Sequence, residues 1–313
     1  MTESSAALRK DSVSLRLYPH LGLPPTQVVA ELLAQARLAE DVGFDGLMTS
    51  EHHNAFAGYL PNPIQVAGWV LDVTDRAWAA PCPLLLPLRP AAIVAEEIAW
   101  LAARFPGRVG VGLAAGSLEA DFEIAGTTKD NLTQRYAEAM TAVSGMLLGR
   151  EAGVLSDDPA IRQCTTDPIP VVSAAMSPAA CRRAATAGVG LLFDSLTKIG
   201  RCRELVDIYR DAGGSGPIAL IRRAWPGAGN DGRHEDQLKL YSSYAASAAV
   251  EHWSDDRPAG GDAASIAQVL TAQADAVGAT CLNIRVHTPG MTPAEAREHI
   301  TALADVIALL RRD

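Results

Sequence analysis

"RLYPHLGLPP", Arg16 to Pro25, closes the first strand-like run of the chain and decides between two folds. A doubly wound open sheet that holds a nucleotide needs a glycine-rich turn here, and the stretch offers only Gly22. The reading therefore rests on repetition further along. Strands are predicted over 13–18, 46–49, 78–85, 108–114, 169–174, 189–194, 217–222 and 281–286. Helices are predicted over 26–42, 63–74, 91–104, 132–148, 178–187, 199–211, 260–276 and 292–312, with Thr26 as the first N-cap. Eight βα units predict an α/β chain folded as a single (β/α)8 TIM-type barrel with rim insertions. Residues 1–12 form an N-terminal tail, and 13–313 form the barrel domain with insertions near 149–168 and 225–261. The second insertion carries a predicted helix near 236–251 and is expected to act as a lid.

The 313 residues are 48% hydrophobic and 20% charged, enough for a large core, and the net charge is −9. No Lys/Arg cluster suggests nucleic acid, and no run of 18 apolar residues suggests a membrane span. The opening "MTESSAALRKDS" lacks the apolar segment of a signal peptide, so a cytoplasmic location is expected. Five scattered cysteines without a C-x-x-C fit a reducing compartment and argue against structural zinc.

Glu51-His52-His53 lies just past the second strand, at the barrel face that carries catalytic residues. Neighbours on extended backbone point to opposite sides, so the two imidazoles are poorly placed to share one metal, and no metal site is expected. One of them is suited to proton transfer in a pocket, which makes the pair the source of a candidate catalytic histidine. After the fifth strand, "VVSAAMSPAACRR" puts small residues before a Ser-Pro helix start, whose N–H groups could hold an anion. Ala174, Ala175, Met176 and Ser177 form that candidate, with Arg135 as a possible charged partner. Pro81, Pro83 and Pro87 interrupt the third strand, so a bulge is expected there, with Cys82-Pro83 as a candidate cis peptide beside a cofactor.

The run "GFDGLMTSEHH…PNPIQVAGWV…LLLPLRPAAIVAEEIAWLAARFPGRVGVGLAAG…DFEIAGTT" resembles the bacterial luciferase-like flavin monooxygenases, as does the terminal "CLNIRVHTPGMTPAEAREHI". The resemblance implies a two-component enzyme that uses reduced FMN from a separate NAD(P)H:flavin reductase, and O2, to oxygenate a small organic substrate. It implies that His52 assists the flavin-peroxide step. Glu51, Cys82, Pro83 and Ala114 would lie along the flavin, and the 174–177 turn would bind its phosphate. Two departures bear on this: Ala115 stands where relatives often carry a phosphate-binding arginine, and Ala114 where luciferases carry a reactive cysteine. Tyr18, His53, Tyr59, Arg222 and Trp225 are the candidate substrate pocket, and a homodimer is implied. The alternatives are a deazaflavin-dependent hydride-transfer enzyme on the same barrel, a non-catalytic flavin-binding barrel and, last, a metallohydrolase.

Overall fold

The structure, a computed structural model, describes residues 6–227, 232–243, 250–253 and 258–311. Its sheet is wholly parallel: β1 (Ser12–Arg16), β2 (Gly46–Thr49), β3 (Trp78–Pro81), β4 (Leu84–Leu85), β5 (Val111–Ala114), β6 (Val171–Ala174), β7 (Gly190–Phe193), β8 (Ile218–Pro226), β9 (Ala259–Gly261) and β10 (Cys281–Arg285). Their order is β3-β2-β1-β10-β8-β7-β6-β5-β4, with β9 beside the end of β8. β3 and β4 are two halves of one stave, parted at Cys82-Pro83, whose peptide bond is cis. A bridge between Ala79 and Val109 closes the ring, so β3/β4 counts once and the barrel has the expected eight staves.

The period-two alternation of each strand builds two cores. Val13, Leu15, Leu47 and Ile284 face the outer helices, whereas Met48, Ala80, Val172, Ala219 and Cys281 fill the interior. Ala7 and Leu8, within the segment read as a tail, are buried in the interior cluster with Trp78. The Ala7 N–H bonds the Gly107 carbonyl at 3.1 Å, which fixes this plug at the N-terminal end of the barrel.

Several expectations need correction. The first helix, Pro25–Asp41, begins on Pro25 after Pro24, not at a Thr26 cap, because proline's fixed φ suits the first helical position. Residues 260–276 do not start as helix: Gly260 and Gly261 pair with Trp225 and Pro226, and Asp262 caps a helix over Ala263–Val277 by accepting from the Ser265 N–H. The last helix is broken at Leu303 into Pro293–Ala302 and Ala304–Leu310. The 149–168 insertion holds a short helix, Pro159–Gln163, capped by Asp158. A short helix that sequence periodicity did not register, Glu119–Ile124, follows β5. In the 225–261 insertion the described residues hold a helix over Arg233–Ser242; part of the helix expected near 236–251 falls on 244–249, which with 228–231 and 254–257 lie outside the described residues. All five cysteines are free and buried. Among the described residues, no helix is long and apolar enough to cross a membrane.

Candidate active site

With the N-terminal end plugged, the barrel mouth lies at the C-terminal ends of the strands, and a cavity of about 200 Å³ opens there. Its wall includes Arg16, Tyr18, His52, Tyr59, Tyr241 and Arg285. A second cavity of about 390 Å³, lined by the loops after β1 and β10, shares Arg285 with it. Together they offer room for a bound molecule beside the histidine pair.

His52 leaves β2 at the cavity edge, and its Nδ1 donates to Asp121 Oδ2 at 2.7 Å. Asp121 is 2% exposed, and its other oxygen accepts the backbone N–H of His53 at 2.9 Å. One carboxylate therefore fixes both the ring and the main chain of the pair. The ring also packs edge-on to Phe56 and Tyr59, with centroids 5.0 and 4.7 Å away. Burial holds the His52 pKa below the usual histidine value, and the Asp121 contact opposes that shift only in part. The imidazole is thus neutral near pH 7, oriented by a carboxylate, and able to exchange a proton with the cavity.

Glu51 borders the same cavity, but its oxygens are taken up by the protein. Oε1 accepts from Arg89 Nη2 at 2.5 Å and lies 3.3 Å from His53 Nε2; Oε2 accepts from the Leu85 N–H at 2.7 Å. Burial pushes the Glu51 carboxyl above its ordinary range, while Arg89, the Leu85 N–H and His53 pull it back. Its role in the structure is a latch between β2 and β4, not an open cofactor contact. His53 belongs to this latch rather than to the cavity wall.

The other sequence candidates divide in the same way. Tyr18, Tyr59 and Pro83 line the cavity, and Tyr18 and Tyr59 meet edge to face at 5.6 Å. Cys82 does not reach it: its thiol lies in the barrel interior, where burial pushes its pKa to about 11. Its carbonyl accepts from Arg16 Nη1 at 2.9 Å instead. Ala114 ends β5 opposite Leu85. Arg222 points away from the mouth, donating to the carbonyls of Asp194 and Thr197 at 3.0 and 3.1 Å. Trp225 packs on His299 with centroids 4.4 Å apart, also outside both cavities. Arg135 braces its own loop through the Thr128 carbonyl, Thr127 Oγ1 and the Pro87 carbonyl, which argues against its use as a phosphate ligand.

Ala174 to Ser177 form the turn from β6 into the helix Pro178–Thr186. Ser177 caps that helix by accepting from the Ala180 N–H at 3.3 Å. Among the described residues nothing accepts from the N–H groups of Met176, Ser177 and Ala179. Three unengaged donors at a helix N-terminus suit a phosphate chemically. No group of three or more His, Cys, Asp or Glu that could hold a metal ion occurs among the described residues.

Sequence reasoning missed the arginines of the mouth. Arg16 is 4% exposed and donates to Asn283 Oδ1 at 2.9 Å, to Ser50 Oγ, to the Cys82 carbonyl and, weakly, to Met48 Sδ. Arg285, its neighbour in register on β10, lies 4.3 Å over the Tyr18 ring and 4.9 Å over the Tyr241 ring. Among the described residues neither guanidinium meets a carboxylate. Desolvating such a charge costs several kcal/mol. The several hydrogen bonds that Arg16 donates, at about 1.5–3 kcal/mol each, offset that, whereas Arg285, with one hydrogen bond from Nε to the His287 carbonyl and two ring contacts at about 2 kcal/mol or less each, is the less compensated. The signal was present in the first quoted stretch: Arg16 and Tyr18 share the inward parity of β1.

Comparison with known proteins identifies the family. The sequence profile described as Luciferase-like monooxygenase matches residues 13–308. The alkanal monooxygenase alpha chain of Photorhabdus laumondii subsp. laumondii is 29% identical over 106 residues, 34% of this chain and 30% of that protein. The chain thus matches about a third of that relative's length. Among solved structures, the F420-dependent secondary alcohol dehydrogenase in complex with an F420-acetone adduct superposes with a TM-score of 0.75 and 16% identity, covering 97% of this chain and all of that one (100%). The oxygenating constituent of 3,6-diketocamphane monooxygenase of Pseudomonas putida, in complex with FMN, gives 0.72 and 17%, covering 95% and 97%. At these identities the structures show the fold alone, but the profile spans nearly the whole chain. The chain belongs to the luciferase-like monooxygenase family, whose members are monooxygenases or oxidoreductases.

Proposed function

We propose that this chain is the oxygenating component of a two-component flavin monooxygenase, acting on a small organic substrate with O2 and with reduced FMN supplied by a separate NAD(P)H:flavin reductase. The observation that carries the reading is the His52–Asp121 pair at the edge of the mouth cavity, 2.7 Å between donor and acceptor. The unengaged N–H groups of Met176, Ser177 and Ala179 would hold the cofactor phosphate, and Pro83 and Leu85 the apolar edge of its ring system. Bound there, the reduced flavin would supply the electrons that activate oxygen. The protein's own part is to orient, to exclude water and to move one proton. Asp121 fixes the tautomer of His52 by accepting at Nδ1, so proton exchange with the cavity falls to Nε2. Tyr241 and Trp253, from the 225–261 insertion, cover the cavity, which supports a lid role for that segment. A homodimer in the cytoplasm completes the reading.

Hydride transfer with a deazaflavin is the second reading, favoured by the equal likeness of the F420-dependent alcohol dehydrogenase. Anaerobic titration with reduced FMN and with reduced deazaflavin separates the two. Tighter binding of FMN than of the deazaflavin, weakened by a negative charge placed at the phosphate turn in Ser177→Asp, is the expected result; preference for the deazaflavin would replace the first reading by the second.

A further inference from the structure

Arg285 ends β10 with its side chain in the barrel mouth, 6% exposed, and forms part of the wall of both cavities. Its Nε donates to the His287 carbonyl at 3.1 Å, and its plane lies against Tyr18 and Tyr241. Among the described residues nothing accepts from Nη1 or Nη2. Aromatic faces attract the charge but do not take up those N–H donors, so the guanidinium is clamped in place with its hydrogen-bonding edge unused. The neighbouring arginines are different: Arg89 has Glu51, Arg223, paired in register with Arg285, has His234, and Arg16 has carbonyl, hydroxyl and amide oxygens.

The charge around the cavity points the same way. Arg16 adds a second buried cation one strand over. The two carboxylates at this wall are engaged elsewhere, Glu51 by Arg89 and the Leu85 N–H, and Asp194 by the N–H groups of Leu196 and Thr197 at 2.8 and 2.7 Å and by Trp253 Nε1 at 3.3 Å. His287, stacked on Tyr18, is held neutral by burial and by the Arg285 charge itself, with its pKa lowered to about 3. Among the described residues the cavity wall carries two cations and no uncommitted anion, which is complementary to an oxyanion, and a planar guanidinium fork suits a carboxylate or phosphate in two-point contact.

We propose that Arg285 recognises the oxyanion, carboxylate or phosphate, of an organic acid substrate whose remainder lies along Tyr18 and Tyr59 toward His52. The side chains between them form a continuous wall: Arg285 on Tyr18, Tyr18 against Tyr59, Tyr59 against His52. The proposal rests on the flavin-enzyme reading for what happens at the His52 end, but the binding step stands apart from it.

The test uses the full chain without flavin and follows the fluorescence of the cavity tryptophan while benzoate, phenyl phosphate or the neutral isostere benzamide is added. At least one anion is expected to bind about tenfold or more tightly than benzamide. Arg285→Gln is expected to weaken that anion about 10- to 100-fold, the loss of charge-assisted hydrogen bonds, while leaving benzamide and reduced FMN unchanged. Arg285→Lys should recover part of the loss, because it keeps the charge without the fork. Equal binding of anions and benzamide by the unmodified chain, or no anion binding at millimolar concentration, would overturn the proposal, and this comparison stands even if a variant fails to fold. Weaker FMN but unchanged riboflavin binding in Arg285→Gln would overturn it too, by assigning the site to the cofactor's own phosphate. Anion selectivity without any flavin binding would sink the enzyme reading and leave this one standing.

Discussion

Replacing Arg89 by Met should destabilise the chain in a pH-dependent way that follows from the Glu51 latch. The Glu51 side chain is fully buried, and of its three partners only Arg89 brings a permanent charge, at 2.5 Å. Removing one member of a buried pair costs about 3–5 kcal/mol, and the lower end applies here because the Arg89 side chain is 21% exposed. The pH dependence has a definite sign. Burial already raises the Glu51 pKa above its ordinary 4.5, so the native state binds more protons than the unfolded chain just above that value. Stability from this group is therefore complete below about 4.5 and falls as pH rises through the native pKa. Loss of Arg89, the largest opposing influence, raises the native pKa further and extends that window upward. The deficit relative to the unmodified chain should be small near the low end. It should then grow by up to about 1.4 kcal/mol per pH unit until the variant's own native pKa is passed. Urea unfolding followed by tryptophan fluorescence, from about pH 5 to about pH 8, measures it. Adding Glu51→Gln should flatten the dependence. A deficit below about 1 kcal/mol at the upper end, or one that does not change with pH, would refute the reasoning.

Three further outcomes are expected. Asp121→Asn removes the carboxylate that raises the His52 pKa, so the limb of a pH–activity profile that reports His52 should move to lower pH; an unmoved limb would detach His52 from that step. Gly46→Ala should destabilise by about 1–3 kcal/mol in thermal or urea unfolding, because its Cβ would fall 2.1 Å from the buried Trp78 ring at the start of the strand that presents His52. Ser177→Asp should keep the helix cap, because aspartate caps as serine does, but put a negative charge where the phosphate would lie and so narrow the preference for FMN over riboflavin; an unchanged preference would move the phosphate elsewhere.

The fold was legible in the sequence because its signal is repetitive: eight strand-helix alternations survive an error at any one of them. Boundaries were lost where a cap or pairing outside the local run decides, as at Asp262, or where β9 pairs with the end of β8. The site was legible only in its β2 part. His52 could be singled out by its place after a strand, but Asp121, which orients it, sits 69 positions away on a six-residue helix too short to show a period. Arg222 was misplaced because β8 runs on past it, and strand parity turns it outward beside Asp194 and Thr197. Arg16 and Arg285 come to line one cavity only through the parallel register of β1 and β10, from opposite ends of the chain, and no local pattern reports such a juxtaposition.

The most direct test of the central claim is stopped-flow mixing of the anaerobic complex of protein and reduced FMN with oxygenated buffer, for the unmodified chain and for His52→Ala. The account predicts oxygen-dependent turnover of bound FMN with oxygen delivered to an organic substrate, and diversion to hydrogen peroxide release when His52 is removed. Reoxidation of FMN at the rate of free flavin, indifferent to His52, would contradict it.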